Sequence, residues 1–194
     1  MIADVLKFVR KHLDDQLRAV MEDSPDEPGA DKVVFVDGDA MDPIVFKSGA
    51  VSLLLINLEE ERGLRSAEPY LRREDAGRAQ RVQPDIRLNL HLIFVARFKH
   101  YDTSWAYLSS IIGYLQTMRV FDAQATPGIP PGVERLVFEL ATLTLAEQNE
   151  VWNALRTAHH PYLLYRVKLI TFRDQTSTDV TEISTIETSV RRLP

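Results

Sequence analysis

The sequence predicts an α+β fold: a single domain with a mixed, mostly antiparallel β-sheet and about three helices packed mainly on one face. Three observations lead there. Helical and strand patterns run in the order helix, strands, helix, strand, helix, strand, with no internal repeat. Strands outnumber the helical crossovers, so the sheet has too few crossover links to be wholly parallel. The chain has 194 residues, 45% of them hydrophobic, enough for one domain that buries roughly 70% of its unfolded surface.

The first element is an amphipathic helix. Ile2, Val5, Leu6, Val9, Leu13, Leu17 and Val20 recur at helical spacing. Lys7, Arg10, Lys11, Asp14 and Arg18 fall elsewhere on the wheel, and their mixed sign suits a helix on its own core better than one on a membrane. The stretch MEDSPDEPGAD is a loop. Residues 32–36 read as a short strand. The loop after it carries Asp37, Asp39 and Asp42, a calcium-like alternation whose ligand pattern is incomplete; turn chemistry accounts for it.

Two long strands follow, 49–61 and 85–97. In the second, Ile86, Leu88, Leu90, Leu92 and Phe94 share one face. Arg87, Asn89 and His91 share the other until Ile93 and Val95 bury it, as in a sheet covered on both faces at one end only. Between these strands, residues 62–84 read as a long charged loop, the one basic segment of an acidic chain.

A second helix is expected from a cap at Asp102 or Thr103 to about Met118. Its stripe is Trp105, Leu108, Ile112 and Leu115, widened by Ile111 and Met118. Residues 122–133 form a Pro/Gly loop, and Glu134–Thr142 a strand. Thr144-Leu-Ala-Glu147 fits a capping box that opens helix three, whose face is Gln148, Val151, Trp152 and Leu155. His159-His160-Pro161 stops it, and strand 162–173 follows. We divide the chain into a domain, 1–173, and a strand-prone tail, 174–194, rich in β-branched residues.

Little in the chain points to catalysis. Without cysteine there is no disulfide scaffold, thiolate metal site or cysteine nucleophile. The phosphate-loop, dinucleotide, zinc-protease and serine-hydrolase signatures do not occur. Of the run Glu59-Glu60-Glu61, only Glu59 and Glu61 share a strand face, and a solvated strand end accounts for them. His91, His100, His159 and His160 join no recognisable triad or ligand set. We therefore expect no enzyme, no cofactor and no metal. The net charge of −5 argues against nucleic acid despite the local arginines, and no apolar run reaches membrane-spanning length. The alternative class is an enzyme or ligand-binding α+β domain whose site forms only in space.

What remains is an interaction protein. Its candidate contacts are the segments that a core does not explain: Arg62, Arg65, Arg72, Arg73, Arg78 and Arg81 in the basic segment, and Thr181, Ile183, Thr185 and Glu187 in the tail. The tail has two uses: to complete its own sheet, or to pair with an exposed sheet edge.

Five segments occur in a telling order: NLEEER (57–62), RLNLHLIFVARF (87–98), YLSSIIGYLQ (107–116), TPGIPPGVERLVFEL (126–140) and VWNALRTAHHPYLLYRVKLI (151–170). Together they resemble the tail-terminator or cap protein family of phage-tail-like contractile injection systems, over residues 1 to about 172. The resemblance implies an α+β fold without catalysis. It also implies a homohexameric ring at the baseplate-distal end, with the inner tube and sheath as partners. Signature residues are Asn57, Glu59, Arg62, Asn89, Trp105, Glu134, Trp152 and Tyr165, each equally readable as a fold determinant or a contact. The chain departs after Trp152: relatives have a Gly-Ala-Lys-Tyr-Leu-Pro-like turn, and this chain has Arg156-Thr-Ala-His-His-Pro161. It ends at Pro194, so we expect no further C-terminal domain of the kind some relatives have. With no secretory signal, assembly in the cytoplasm is expected, and any release of the particle takes another route.

Overall fold

The structure is a computed structural model. It describes residues 1–21, 29–36, 38, 43–61, 71–73, 79–81, 86–172 and 178–179, and of 71–73, 79–81, 169–172 and 178–179 only the backbone. In chain order the elements are α1 (Ile2–Val20), β1 (Val33–Phe35), β2 (Ala50–Glu60), β3 (Leu71–Arg73), β4 (Ala79–Arg81), β5 (Ile86–Arg97), α2 (Tyr101–Thr117), β6 (Val120–Asp122), β7 (Arg135–Ala141), α3 (Leu145–Ala154), β8 (Tyr162–Phe172) and β9 (Thr178–Asp179). They fall into two compact units, Met1–Glu61 with Arg87–Thr171, and Arg62–Ile86 with Phe172–Pro194.

The first unit is built on a six-stranded sheet in the order β1-β2-β5-β8-β7-β6. The β1–β2 pair is parallel; β2–β5, β7–β8 and β6–β7 are antiparallel. The sheet is thus mixed and mostly antiparallel, as predicted. β6 (Val120–Asp122) falls on residues the sequence left unassigned, apart from Asp122 at the start of the expected loop, because three residues are too few to show an alternation.

Two of the three helices cover one face. Val5, Phe8, Val9, Leu13 and Leu17 of α1 are buried, each contributing about 1.5–3 kcal/mol on full burial. Phe8 meets Phe121 of β6 edge-on (5.7 Å). Phe121 meets Phe138 of β7 (5.3 Å), Phe138 meets Tyr165 of β8 (6.3 Å), and Tyr165 meets Phe94 of β5 (6.0 Å). This run of steeply angled rings crosses four strands in the geometry that aromatic quadrupoles favour. His12 of α1 sits against Phe8, Phe121 and Tyr114, and burial holds its pKa below the ordinary imidazole value.

Among the described residues, the opposite face is covered at one end only. Trp152 of α3 packs with Phe46, Ile44, Ile93, Val95 and Leu164. Both faces of β5 are therefore buried from Leu92 to Ala96, which is the alternation and its loss that the sequence showed. His160 faces Phe46 and Trp152 here; burial first, then Arg97 and His159, lower its pKa.

Helix ends differ from the reading in two places. α2 starts at Tyr101 with His100 as N-cap and no side-chain cap bond. Its buried side is Ser104, Tyr107, Leu108, Ile111 and Leu115, so the predicted stripe is rotated and Trp105 lies outside it. The capping box of α3 forms as predicted: Thr144 Oγ1 accepts from Glu147 N, and Glu147 Oε2 accepts from Thr144 N (2.7 Å). But α3 stops at Ala154, well before Pro161, because Arg156 is left-handed with φ 52°.

A left-handed residue just past a helix is ordinarily glycine. Arg156→Gly is expected to stabilise the chain by about 0.5–1 kcal/mol, the relieved strain less the added unfolded-state entropy. Thermal unfolding should show Tm rising by about 2–4 °C; an unchanged or lower Tm would count against the strain.

The second unit holds a three-stranded sheet, β3-β4-β9. The basic segment is therefore not a plain loop, since it contributes an antiparallel pair, β3–β4. The tail's Thr178–Asp179 pairs with β4, not with the six-stranded sheet.

Candidate interaction surface

Beyond the Trp152 cluster, the α3 side of the sheet turns polar. A β-bulge between Leu55 and Asn57 sets this up. Leu54 and Ile56 pack on the Trp152 cluster. The extra residue shifts the phase, so Asn57, Glu59 and Glu61 then share the face of His91 and Asn89. The Glu59/Glu61 pairing read from sequence is realised in this way.

The result is a polar belt across four strands. His91 Nε2 lies 3.1 Å from Glu59 Oε2, and Arg166 Nη2 lies 3.7 Å from the same oxygen. Asn89 Nδ2 donates to Glu61 Oε2 (3.2 Å). On β7, Glu139 pairs with Lys168 (2.7 Å) and Arg119 (3.5 Å). Such half-exposed pairs are worth about 0–1 kcal/mol each, so the belt adds little to stability. Asn89 Oδ1 and Arg166 Nε are buried without a hydrogen-bond partner, an acceptor and a donor left unsatisfied within the belt. Among the described residues, no three His, Asp or Glu side chains are placed to hold a metal, and no helix is long and apolar enough to cross a membrane.

The signature residues separate by environment. Asn89, Trp152 and Tyr165 are buried. Asn57, Glu59 and Glu134 are exposed, and Trp105 is 40% exposed, its ring edge-on to that of Tyr101, itself 70% exposed. Arg72, Arg73 and Arg81 lie on β3 and β4, Arg72 in register with Gln80, Arg73 with Ala79, and Arg81 with Leu71 and Thr178. Arg62, Arg65, Arg78, Thr181, Ile183, Thr185 and Glu187 lie outside the described residues. Sequence reasoning missed Arg166, Lys168, Arg119 and Glu139 as belt members; alternation within β8 and β7 was an available signal for Arg166, Lys168 and Glu139, whereas Arg119 precedes β6 and had none.

No curated protein matches the chain. The chain is similar to the PVC sheath/tube terminator of an extracellular contractile injection system, solved by cryo-EM in the extended state. The TM-score is 0.58 at 19% identity, over 100% of this chain and 64% of that one. The likeness is one of fold, and this chain spans 64% of that terminator's length. The tube-terminating cap of the anti-feeding prophage gives a TM-score of 0.46 at 17% identity, over 73% of this chain and 49% of that one. Residues 7–185 match the family described as the Pvc16 N-terminal domain, nearly the whole length, and to that family the chain belongs.

Proposed function

We propose that this chain is a structural cap that ends the inner tube and sheath of a contractile injection particle by forming a ring at its baseplate-distal end. The observation that carries the reading is the PVC sheath/tube terminator fold, matched over 100% of this chain. Family membership over residues 7–185 supports it. The physical logic is closure. A growing tube exposes a self-complementary end, and a ring whose far face lacks that complementarity stops further addition. Contacts made together by one rigid ring reinforce one another.

Within this reading the ring is a homohexamer, assembled in the cytoplasm, and its role is non-enzymatic. Residues 1–173 form the terminator domain and 174–194 its tail. The basic segment, 62–84, and residues 174–192 carry contacts to tube, sheath or neighbouring subunits.

The test is electron microscopy of particles made with and without the chain. Without it, tubes and sheaths should lose their uniform length; particles of normal length and closed end would overturn the reading. Deleting residues 176–194 tests the finer assignment, since normal capping by that variant would remove the tail from the contact set.

A further inference from the structure

The two edges of the six-stranded sheet are not alike. At β1 the outward amide and carbonyl of Val33 are already taken. Asp14 Oδ1 accepts from Val33 N (2.9 Å), and Arg10 Nη1 donates to Val33 O (3.3 Å). At β6 the edge is open. Phe138 N donates to Arg119 O (2.9 Å) and Ala123 N to Glu134 O (3.0 Å), so the odd-numbered residues bond to β7. By alternation, the amide and carbonyl of Val120 point away from the sheet. Asp122 O is occupied by Ala125 N and Thr126 N. Beside the open groups, Val120 and Met118 expose apolar side chains, 44% and 39%. An unpaired edge of this kind is a template for another strand.

We propose that the β6 edge receives the C-terminal tail of a second copy of this chain, from residue 180 onward. The inference rests on the ring reading above and names one of its contacts. The sequence from Val180 to Val190 carries seven β-branched residues, the composition that suits an added strand. It also carries Glu182 and Glu187, with no basic residue before Arg191. Flanking β6 are Arg119 and Arg135, each more than half exposed although paired with Glu139 and Asp122; such surface pairs are weak, so incoming carboxylates can share them. β9 pairs with β4 in its own copy, and the donated segment is the one that follows it. A donated strand passes from one copy to the next head to tail, the arrangement a ring requires.

The test is amide hydrogen exchange on the full chain across a concentration series, with mass measured on the same samples. As rings form, exchange at the Val120 amide should slow by about tenfold or more. A chain truncated after Asp179 should lose that protection. The variant Val120→Pro removes only the outward N–H, which the ladder to β7 does not use; it should keep the monomer's Tm and abolish the protected ring, while Val120→Thr retains both. Rings in which Val120 exchanges as fast as in the dilute monomer overturn this inference alone. Protection that survives truncation overturns the tail as occupant. A chain that stays monomeric at every concentration with Val120 unprotected overturns this inference and the ring reading together.

Discussion

Asp14→Ala is expected to remove about 3–5 kcal/mol of stability, which is a third or more of what a domain ordinarily has. Asp14 lies on α1 yet is only 5% exposed. Its Oδ1 accepts from the amides of Lys32 and Val33 (2.5 and 2.9 Å), and its Oδ2 from Arg18 Nε (2.7 Å). Val33 opens β1, the short parallel edge strand, and Lys32 precedes it. Asp14 is the acceptor for both amides. Alanine would leave two buried donors without an acceptor and a guanidinium without its carboxylate.

Three variants separate the parts. Asp14→Asn keeps an oxygen for the amides and loses the charge, so it should fall between wild type and alanine. Arg18→Ala should cost less than Asp14→Ala, because Arg18 stands partly in water and also holds Asp31. Urea unfolding of all three gives the order directly. An Asp14→Ala chain within about 1 kcal/mol of wild type would mean that β1 is not anchored this way. Because the same carboxylate blocks the β1 edge, the alanine variant should also associate non-specifically at high concentration.

Asp14 also marks the limit of what the sequence reveals. The helical wheel places it on the polar side of α1, and by periodicity alone that is correct. Its burial comes from a tertiary demand, two orphan amides eighteen and nineteen residues away, which no local pattern carries. Trp105 errs the other way: its size invites a place in the α2 stripe, but the helix turns Ser104, Leu108, Ile111 and Leu115 inward and leaves the indole at the surface. The α3 capping box and the one-sided covering of β5 were legible because each is written in contiguous residues. Half the polar belt was legible too, as Glu59 with Glu61 and Asn89 with His91. Its other half depends on a bulge at Leu55/Asn57 and on β8 lying beside β5, neither of which the spacing encodes. The basic segment shows the same limit: its pairing as β3–β4 and with β9 is set by partners distant in sequence.

Trp152→Ala should cost about 3–5 kcal/mol, and the comparison with Trp105 gives that number its meaning. The sequence reading singles out both as signature residues, with fold and contact roles equally open for each. Trp152 is 5% exposed and is ringed by Phe46, His159, His160 and Tyr162. It supplies most of what α3 buries, since it is the helix's one fully buried side chain. Its Nε1 is buried without an acceptor, so the residue works here by volume, not by hydrogen bonding. Trp152→Phe, which removes that idle N–H and part of the volume, should therefore cost only about 1–2 kcal/mol. Trp105, half in water on the first turn of α2, should lose no more than about 1 kcal/mol as alanine. If it matters to the particle, it acts through its exposed pair with Tyr101, as an aromatic anchor for a partner. Denaturant unfolding alongside particle imaging then sorts the two: Trp152→Ala should fail in stability first, and Trp105→Ala in capping with stability intact. Equal stability of the two alanine variants would remove Trp152 as a determinant of the fold.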